Sequence, residues 1–247
     1  GAEKKDKTGV IVNSYNGQEY RDPFQKRIEE ICTHSVKQRF RWNGHYSDFK
    51  AIISTTRQSK NQVCTCINKQ LNKQVVLKVK KVDKLTADGR PKTKDMMEQE
   101  FIVHTYEIYF LEKLANRGHP HIVTYNATWA LRHMHEIYIE MDPCDTTLAS
   151  LMKKHGYQLP LPIAVKYFKQ ALKAVKFCHD NGVIHADIKE ENFLIKNGTL
   201  KLCDFDVSRE VNIHDSCGLI DTEDNVNDRR YLPLELLLHT PKMAFAV

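Results

Sequence analysis

Between Asn181 and Asp206 the chain reads NGVIHADIKEENFLIKNGTLKLCDFD, a stretch that concentrates acids, a base and amides at short spacing. His185-Ala186-Asp187-Ile188-Lys189-Glu190-Glu191-Asn192 puts Asp187, Lys189 and Asn192 on one short loop. The apolar runs Phe193-Leu194-Ile195 and Leu200-Lys201-Leu202 flank Asn197-Gly198, a strong hairpin signal. A hairpin of that length returns Asp204, in Asp204-Phe205-Asp206, to the neighbourhood of Asn192. One site then gains two carboxylates, an ammonium and an amide. Phosphoryl transfer needs an oriented hydroxyl nucleophile, cover for the charge on the transferring group, and oxygen ligands for Mg²⁺. These four side chains are of the types that supply all three. The competing reading is a buried hairpin carrying a chance His-x-Asp.

These residues resemble the eukaryotic protein kinases, whose signatures are H-R-D-x-x-x-x-N and D-F-G. Here the two motifs read H-A-D-I-K-E-E-N and D-F-D, so Ala186 and Asp206 depart from the pattern. The resemblance implies an α+β, bilobal fold: a small antiparallel β lobe with one helix, and a mainly helical large lobe. It also implies Asp187 and Lys189 as catalytic residues, and Asn192 and Asp204 as ligands for Mg²⁺. Lys189 points to serine or threonine as acceptor, although Wee-type members with the same lysine phosphorylate tyrosine.

Three strands are expected at 49–53, 62–67 and 74–79, joined by turns. The third carries Val75-Val76-Leu77-Lys78, similar to the family's V-A-I-K, which makes Lys78 the implied partner of the ATP phosphates. Met97, Phe101, Ile108, Leu111 and Leu114 fit a helix over 94–115, and the resemblance implies that Glu107 on it pairs with Lys78. His119-Pro120-His121-Ile122-Val123 is similar to the family's link into its next strand. Glu136 to Glu140 is then a strand leading into the hinge Met141-Asp142-Pro143-Cys144. By resemblance, Val63, Val76, Met141, Cys144 and Leu194 line the adenine. An amphipathic helix over 163–179, with Val165, Phe168, Leu172, Val175 and Phe177 apolar, delivers the catalytic loop. Arg230-Tyr231-Leu232-Pro233-Leu234-Glu235 is similar to the segment that ends the family's activation loop.

The domain reading is an extension over 1–45 with a tail to residue 20 and a helix over 22–40, a small lobe over 46–142, and a large lobe over 143–247. That large lobe stops before the family's central helix, so the natural protein is expected to continue beyond Val247. Thr56, Gln58 and Asn61 stand where the family places its phosphate-loop glycines, and residues with a Cβ keep the backbone farther from phosphate. Arg57 and Lys60 offer side-chain cations on the same turn, a contact that salt would screen. Ala186 offers no charge to a phosphate on the activation segment, so phosphorylation of Ser208, Ser216 or Thr222 is not expected to switch the chain on through that route.

At 247 residues, 41% hydrophobic and 28% charged, the composition is that of a globular protein, without a run of about 18 apolar residues for a membrane span. Seven scattered cysteines favour reduced thiols and a cytoplasmic or nuclear location. The net charge of +6 lies partly in Lys78 to Lys94, which has no interleaved aromatic residue for stacking on bases, so no nucleic-acid partner is expected. Two functions remain: an ATP- and Mg²⁺-dependent protein kinase acting on a protein substrate, and a pseudokinase serving as scaffold or allosteric partner.

Overall fold

The computed structural model describes residues 13–15, 18–20, 46–51, 61–86, 88–115, 117–131 and 135–210. The expected helix over 22–40, the glycine-free turn and the segment around Arg230 to Glu235 lie outside them. Strands β1 (Asn13–Tyr15) and β2 (Gln18–Tyr20) pair antiparallel, where the polar sequence suggests only a tail.

The small lobe is one five-stranded antiparallel sheet of β3 (Tyr46–Ala51), β4 (Asn61–Asn68), β5 (Lys73–Lys81), β6 (Tyr125–Leu131) and β7 (Glu136–Met141). Its order is β3-β4-β5-β7-β6, with β5 at the centre. The central strand is buried on both faces from Val75 to Lys80, which is why its sequence is nearly continuous in β-branched and apolar residues. Side chains alternate along a strand, so Val76, Lys78 and Lys80 share one face. The register sets Val63 opposite Lys78 and Met141 opposite Val76, on that same face.

Helix α1 (Lys94–Ala115) has Asp95 in its first turn and Lys113 in its last, each favourable to the helix dipole. Thr93 Oγ1 accepts the Met96 amide at 3.2 Å, capping the start. Phe101, Thr105, Ile108 and Leu111 recur at helical spacing on the buried side, and Glu107 is buried with them. Two short elements follow the hinge: β8 (Thr146–Thr147) and α2 (Leu148–Lys154), whose first turn Thr147 caps by accepting the Ser150 amide.

Helix α3 (Leu161–Asp180) buries Tyr167, Ala174 and Cys178. Of the apolar residues expected on this helix, Phe177 packs against the core, while Val165, Phe168 and Leu172 are exposed among the described residues. Tyr167, Ala174 and Cys178 meet the described core, with Ala171 and Phe177 packed against it. From α3 the chain passes through β9 (Val183–Ile184), a 3-10 turn at Glu190–Asn192, and the hairpin β10 (Phe193–Lys196) and β11 (Thr199–Leu202). Asn197 (φ 50°) and Gly198 (φ 69°) form the left-handed turn that a two-residue hairpin requires. Strand β12 (Arg209–Glu210) returns to pair with β9.

One apolar cluster runs from α1 (Phe101, Ile108, Leu111) through Ile137 and Ile139 to Leu200, Leu202 and Phe205 of the large lobe. Val123 donates to the Leu202 carbonyl at 2.9 Å, and Leu202 donates to the His121 carbonyl at 2.8 Å. These contacts fix the β10–β11 hairpin against the segment that leads into β6. No helix among the described residues is long and apolar enough to cross a membrane.

Candidate active site

The loop after β9 folds around two buried groups. His185 is 2% exposed; its Nε2 faces the Cys203 carbonyl at 2.9 Å and its ring meets Phe205 edge-on at 4.8 Å. A carbonyl accepts, so Nε2 carries the proton, and Nδ1 is left to accept the Asp187 amide at 3.3 Å. Ala186, between them, takes φ 63°, a strained value for a residue with a Cβ and one that turns Asp187 outward from the buried histidine. Burial lowers the His185 pKa, against the hydrogen bond to Cys203 and the Asp204 and Asp187 carboxylates. The unfolded chain thus takes up a proton that the folded chain refuses. Stability from this residue is complete above its unfolded pKa of about 6.5 and falls as pH drops below it, by at most about 1.4 kcal/mol per unit. NMR of the ring is expected to show a neutral Nε2-protonated imidazole at pH 7; a charged ring at that pH would contradict the assignment.

Asn192, also buried, donates from Nδ2 to the Asp187 carbonyl and to its Oδ2, both at 2.8 Å. Lys189 Nζ meets the same Oδ2 at 2.8 Å. Although burial works against its charge, the Asp187 carboxylate holds the Lys189 ammonium above its usual range. The turn thereby gathers Asp187, Lys189 and Asn192 around one carboxylate. Cys203 donates its backbone N-H to the Asn192 carbonyl at 2.9 Å, which closes the hairpin and sets Asp204 beside it. Asp204 takes φ 68°, another sparsely populated conformation.

Across the lobes, Lys78 Nζ lies 2.8 Å from Glu107 Oε1, 2.6 Å from Asp204 Oδ1 and 3.2 Å from Asp206 Oδ1. An ammonium has three donors, and here each has a carboxylate. Burial opposes the Lys78 charge, but Asp204, Asp206 and Glu107 hold its pKa well above the usual lysine range. Glu107 is pushed up to about 8, by burial first and then by the Asp206 carboxylate, against Lys78 and Lys80. Burial also acts against ionised Asp206, yet Lys78 and Lys80 keep its carboxyl well below the usual range.

The structure adds two groups to this site. Lys80 is 2% exposed and reaches Asp206 Oδ1 at 2.8 Å, with Glu107 Oε2 at 3.5 Å. Sequence reading treats Asp206 only as a lost glycine and passes over Lys80. The available signal is the alternation Val76-x-Lys78-x-Lys80, two lysines on one face of a strand that also carries Val75, Val76, Leu77 and Val79.

Val63, Val76 and Met141 sit on the Lys78 face of the sheet by register. Leu194 and Met141 both pack against the main core cluster. Cys144 is half-buried, its thiol 4.0 Å from the Asp142 carbonyl. Ser208 is 1% exposed, and its hydroxyl donates to the His185 carbonyl, so it is not presented to a modifying enzyme in this fold.

The donor set suits a hard divalent cation. Glu107, Asp204 and Asp206 each have a carboxylate oxygen within 4.8 Å of the others', and the Asp204 side chain is 33% exposed. Asn192, with Nδ2 committed to Asp187, retains an amide oxygen as a ligand. Lys78 already lies among these three acids, within 3.2 Å of an oxygen of each.

Comparison with known proteins agrees with this geometry. The protein kinase domain family matches residues 59–245. The putative serine/threonine-protein kinase L673 of Acanthamoeba polyphaga mimivirus is 29% identical over 245 residues, covering 80% of this chain and 43% of that protein. The Wee1-like protein kinase of Arabidopsis thaliana is 32% identical over 128 residues, 51% of this chain and 24% of the relative. The probable serine/threonine-protein kinase KKQ8 of Candida glabrata is 28% identical over 204 residues, 77% and 26% respectively. The chain thus spans less than half the length of each relative. With the family matched over three quarters of its residues, a lysine and a glutamate joined in the small lobe, and the histidine, aspartate and asparagine of the large lobe in one turn, the chain belongs to the protein kinase domain family.

Proposed function

We propose that this chain transfers the γ-phosphoryl group of Mg-ATP to a serine or threonine hydroxyl of a protein substrate, in the cytoplasm or nucleus. The observation that carries the reading is Lys78 Nζ held 2.8 Å from Glu107 and 2.6 Å from Asp204, one partner from each lobe. That arrangement draws the phosphate lysine, the metal-ligand aspartate and the helix glutamate to one point. In the proposed roles, Asp187 orients the acceptor hydroxyl and accepts its proton. Lys189 covers charge on the transferring group, and Asn192 and Asp204 would hold Mg²⁺, which would supply neutralising charge to the phosphates. Val63, Val76, Met141, Cys144 and Leu194 line the adenine. The five described cysteines are unpaired, in keeping with a reducing compartment.

One observation favours the pseudokinase reading. All three Lys78 donors are taken by carboxylates, so a phosphate must displace at least one of them. Asp206 is the natural one to yield, since its contact is the longest and Lys80 can keep it. The proposed reading therefore expects Mg-ATP to bind, weakly and more weakly at high salt, because the sequence from Thr56 to Asn61 offers the cations Arg57 and Lys60 where the family has glycines. Calorimetric titration at low and high salt, with phosphoryl transfer to a generic protein substrate on the same sample, tests it. Heat at low salt with transfer supports the enzyme. Binding without transfer leaves the pseudokinase, and no heat with no competition by adenosine analogues removes the nucleotide altogether.

A further inference from the structure

A lysine on the central strand of a sheet, 2% exposed, is costly to bury unless a carboxylate meets it. Lys80 satisfies that condition through Asp206 Oδ1 at 2.8 Å, with Glu107 Oε2 farther off at 3.5 Å. Asp206 in turn stands where related chains carry the last glycine of D-F-G. It carries no positive φ, unlike Asp204 two residues earlier, so its backbone makes no demand for glycine. An aspartate here brings a third carboxylate to Lys78, the cation needed for phosphate. Lys80 draws the same Oδ1 to itself, leaving the Lys78 to Asp206 contact at 3.2 Å and the Lys78 to Asp204 contact at 2.6 Å.

We propose that Lys80 and Asp206 form a positioning pair. It fastens the start of the activation segment to the central strand of the small lobe and keeps Asp206 from competing with phosphate for Lys78. Neither residue touches the reacting atoms. The pair acts through Asp204, whose strained φ is followed directly by Phe205, fully buried against His185, and then by the anchored Asp206. The second half of the proposal, on phosphate access, rests on the nucleotide reading above; the first half does not.

The two residues are coupled, so the consequence is unusual. Restoring the family glycine by Asp206→Gly leaves Lys80 in the sheet with only Glu107 Oε2, at 3.5 Å, and Lys80→Met leaves Asp206 to Lys78. Removing both leaves Lys78 with Glu107 and Asp204 alone.

The test is a cycle on the full 247-residue chain: Lys80→Met, Asp206→Gly, the double variant and Lys80→Arg, read by melting temperature and by Mg-ATP affinity. Each single loss is expected to lower the melting temperature by roughly 6 °C or more, and the double variant to regain at least about half. Lys80→Met is expected to weaken Mg-ATP binding about tenfold. The double variant and Lys80→Arg should return it to within about threefold, a recovery that a purely structural lysine would not produce. If a single variant does not fold, a folded double variant supports the pair and an unfolded one overturns it. Asp206→Gly that changes neither reading, or a double loss equal to the sum of the singles, also overturns it. Should the wild type bind no nucleotide, the proposed function falls while the melting cycle still decides the pair.

Discussion

Asp187→Asn is expected to lower phosphoryl transfer by about a thousandfold while Mg-ATP binds as before, since a positioned general base contributes 10²–10⁴ in rate. The carboxylate is only 12% exposed, and its Oδ2 receives two donors, Lys189 Nζ and Asn192 Nδ2, each at 2.8 Å. An amide at the same place has one acceptor oxygen and one donor nitrogen. If its oxygen faces those two donors, the free position presents N-H to the acceptor hydroxyl and cannot take its proton. In the opposite orientation the nitrogen meets Lys189 and Asn192 donor to donor, and the loop shifts. Both outcomes damage the orientation of the nucleophile, and neither reaches Lys78 or the sheet face with Val63 and Met141. Calorimetry should thus give an unchanged dissociation constant beside a lost transfer signal. Equal phosphorylation by wild type and variant would assign the activity to a contaminant.

The parts of the site that were legible in the sequence are those where one residue type has one use. Asn197-Gly198 specifies a two-residue hairpin because both positions need φ > 0, and the hairpin in turn closes Asn192 onto Cys203. Helix α1 follows from apolar spacing, down to Lys94 and Ala115 as its ends. Helix α3 was legible as an amphipathic helix, but not which side meets which neighbour: Phe168 and Leu172 are as apolar as a core needs, and composition alone does not say what they face. Lys80 was not legible for a different reason. A strand lysine is usually solvated, and its burial here depends on Asp206, 126 positions later, arriving within 2.8 Å. Pairings of that range are set by the fold and leave no local pattern. The same limit applies to Asp206, which by type alone reads as the loss of a glycine and in the folded chain is an added anion.

Lys78→Met is expected to cost about 3–5 kcal/mol of stability, more than Asp204→Asn, although both should abolish transfer. Methionine fills a similar volume but leaves Glu107 Oε1, Asp204 Oδ1 and Asp206 Oδ1 facing one another without their shared cation. Lys80 can still serve Asp206 and stands 3.5 Å from Glu107, so it offsets part of the loss. Asp204→Asn removes one anion from the three, and that side chain is 33% exposed, so solvent screens much of the change. Glu107 makes the comparison depend on pH. Its folded pKa, about 8, already lies above the unfolded value near 4.3, so its penalty on stability grows as pH rises through that interval and levels off above about 8. Without Lys78, which lowers it, the folded pKa moves higher and the penalty continues to grow beyond pH 8. The deficit of Lys78→Met relative to wild type should accordingly be larger at pH 9 than at pH 7 in urea unfolding. A deficit no larger than that of Asp204→Asn, or one that shrinks as pH rises, would mean that Lys78 is not the cation that balances this cluster.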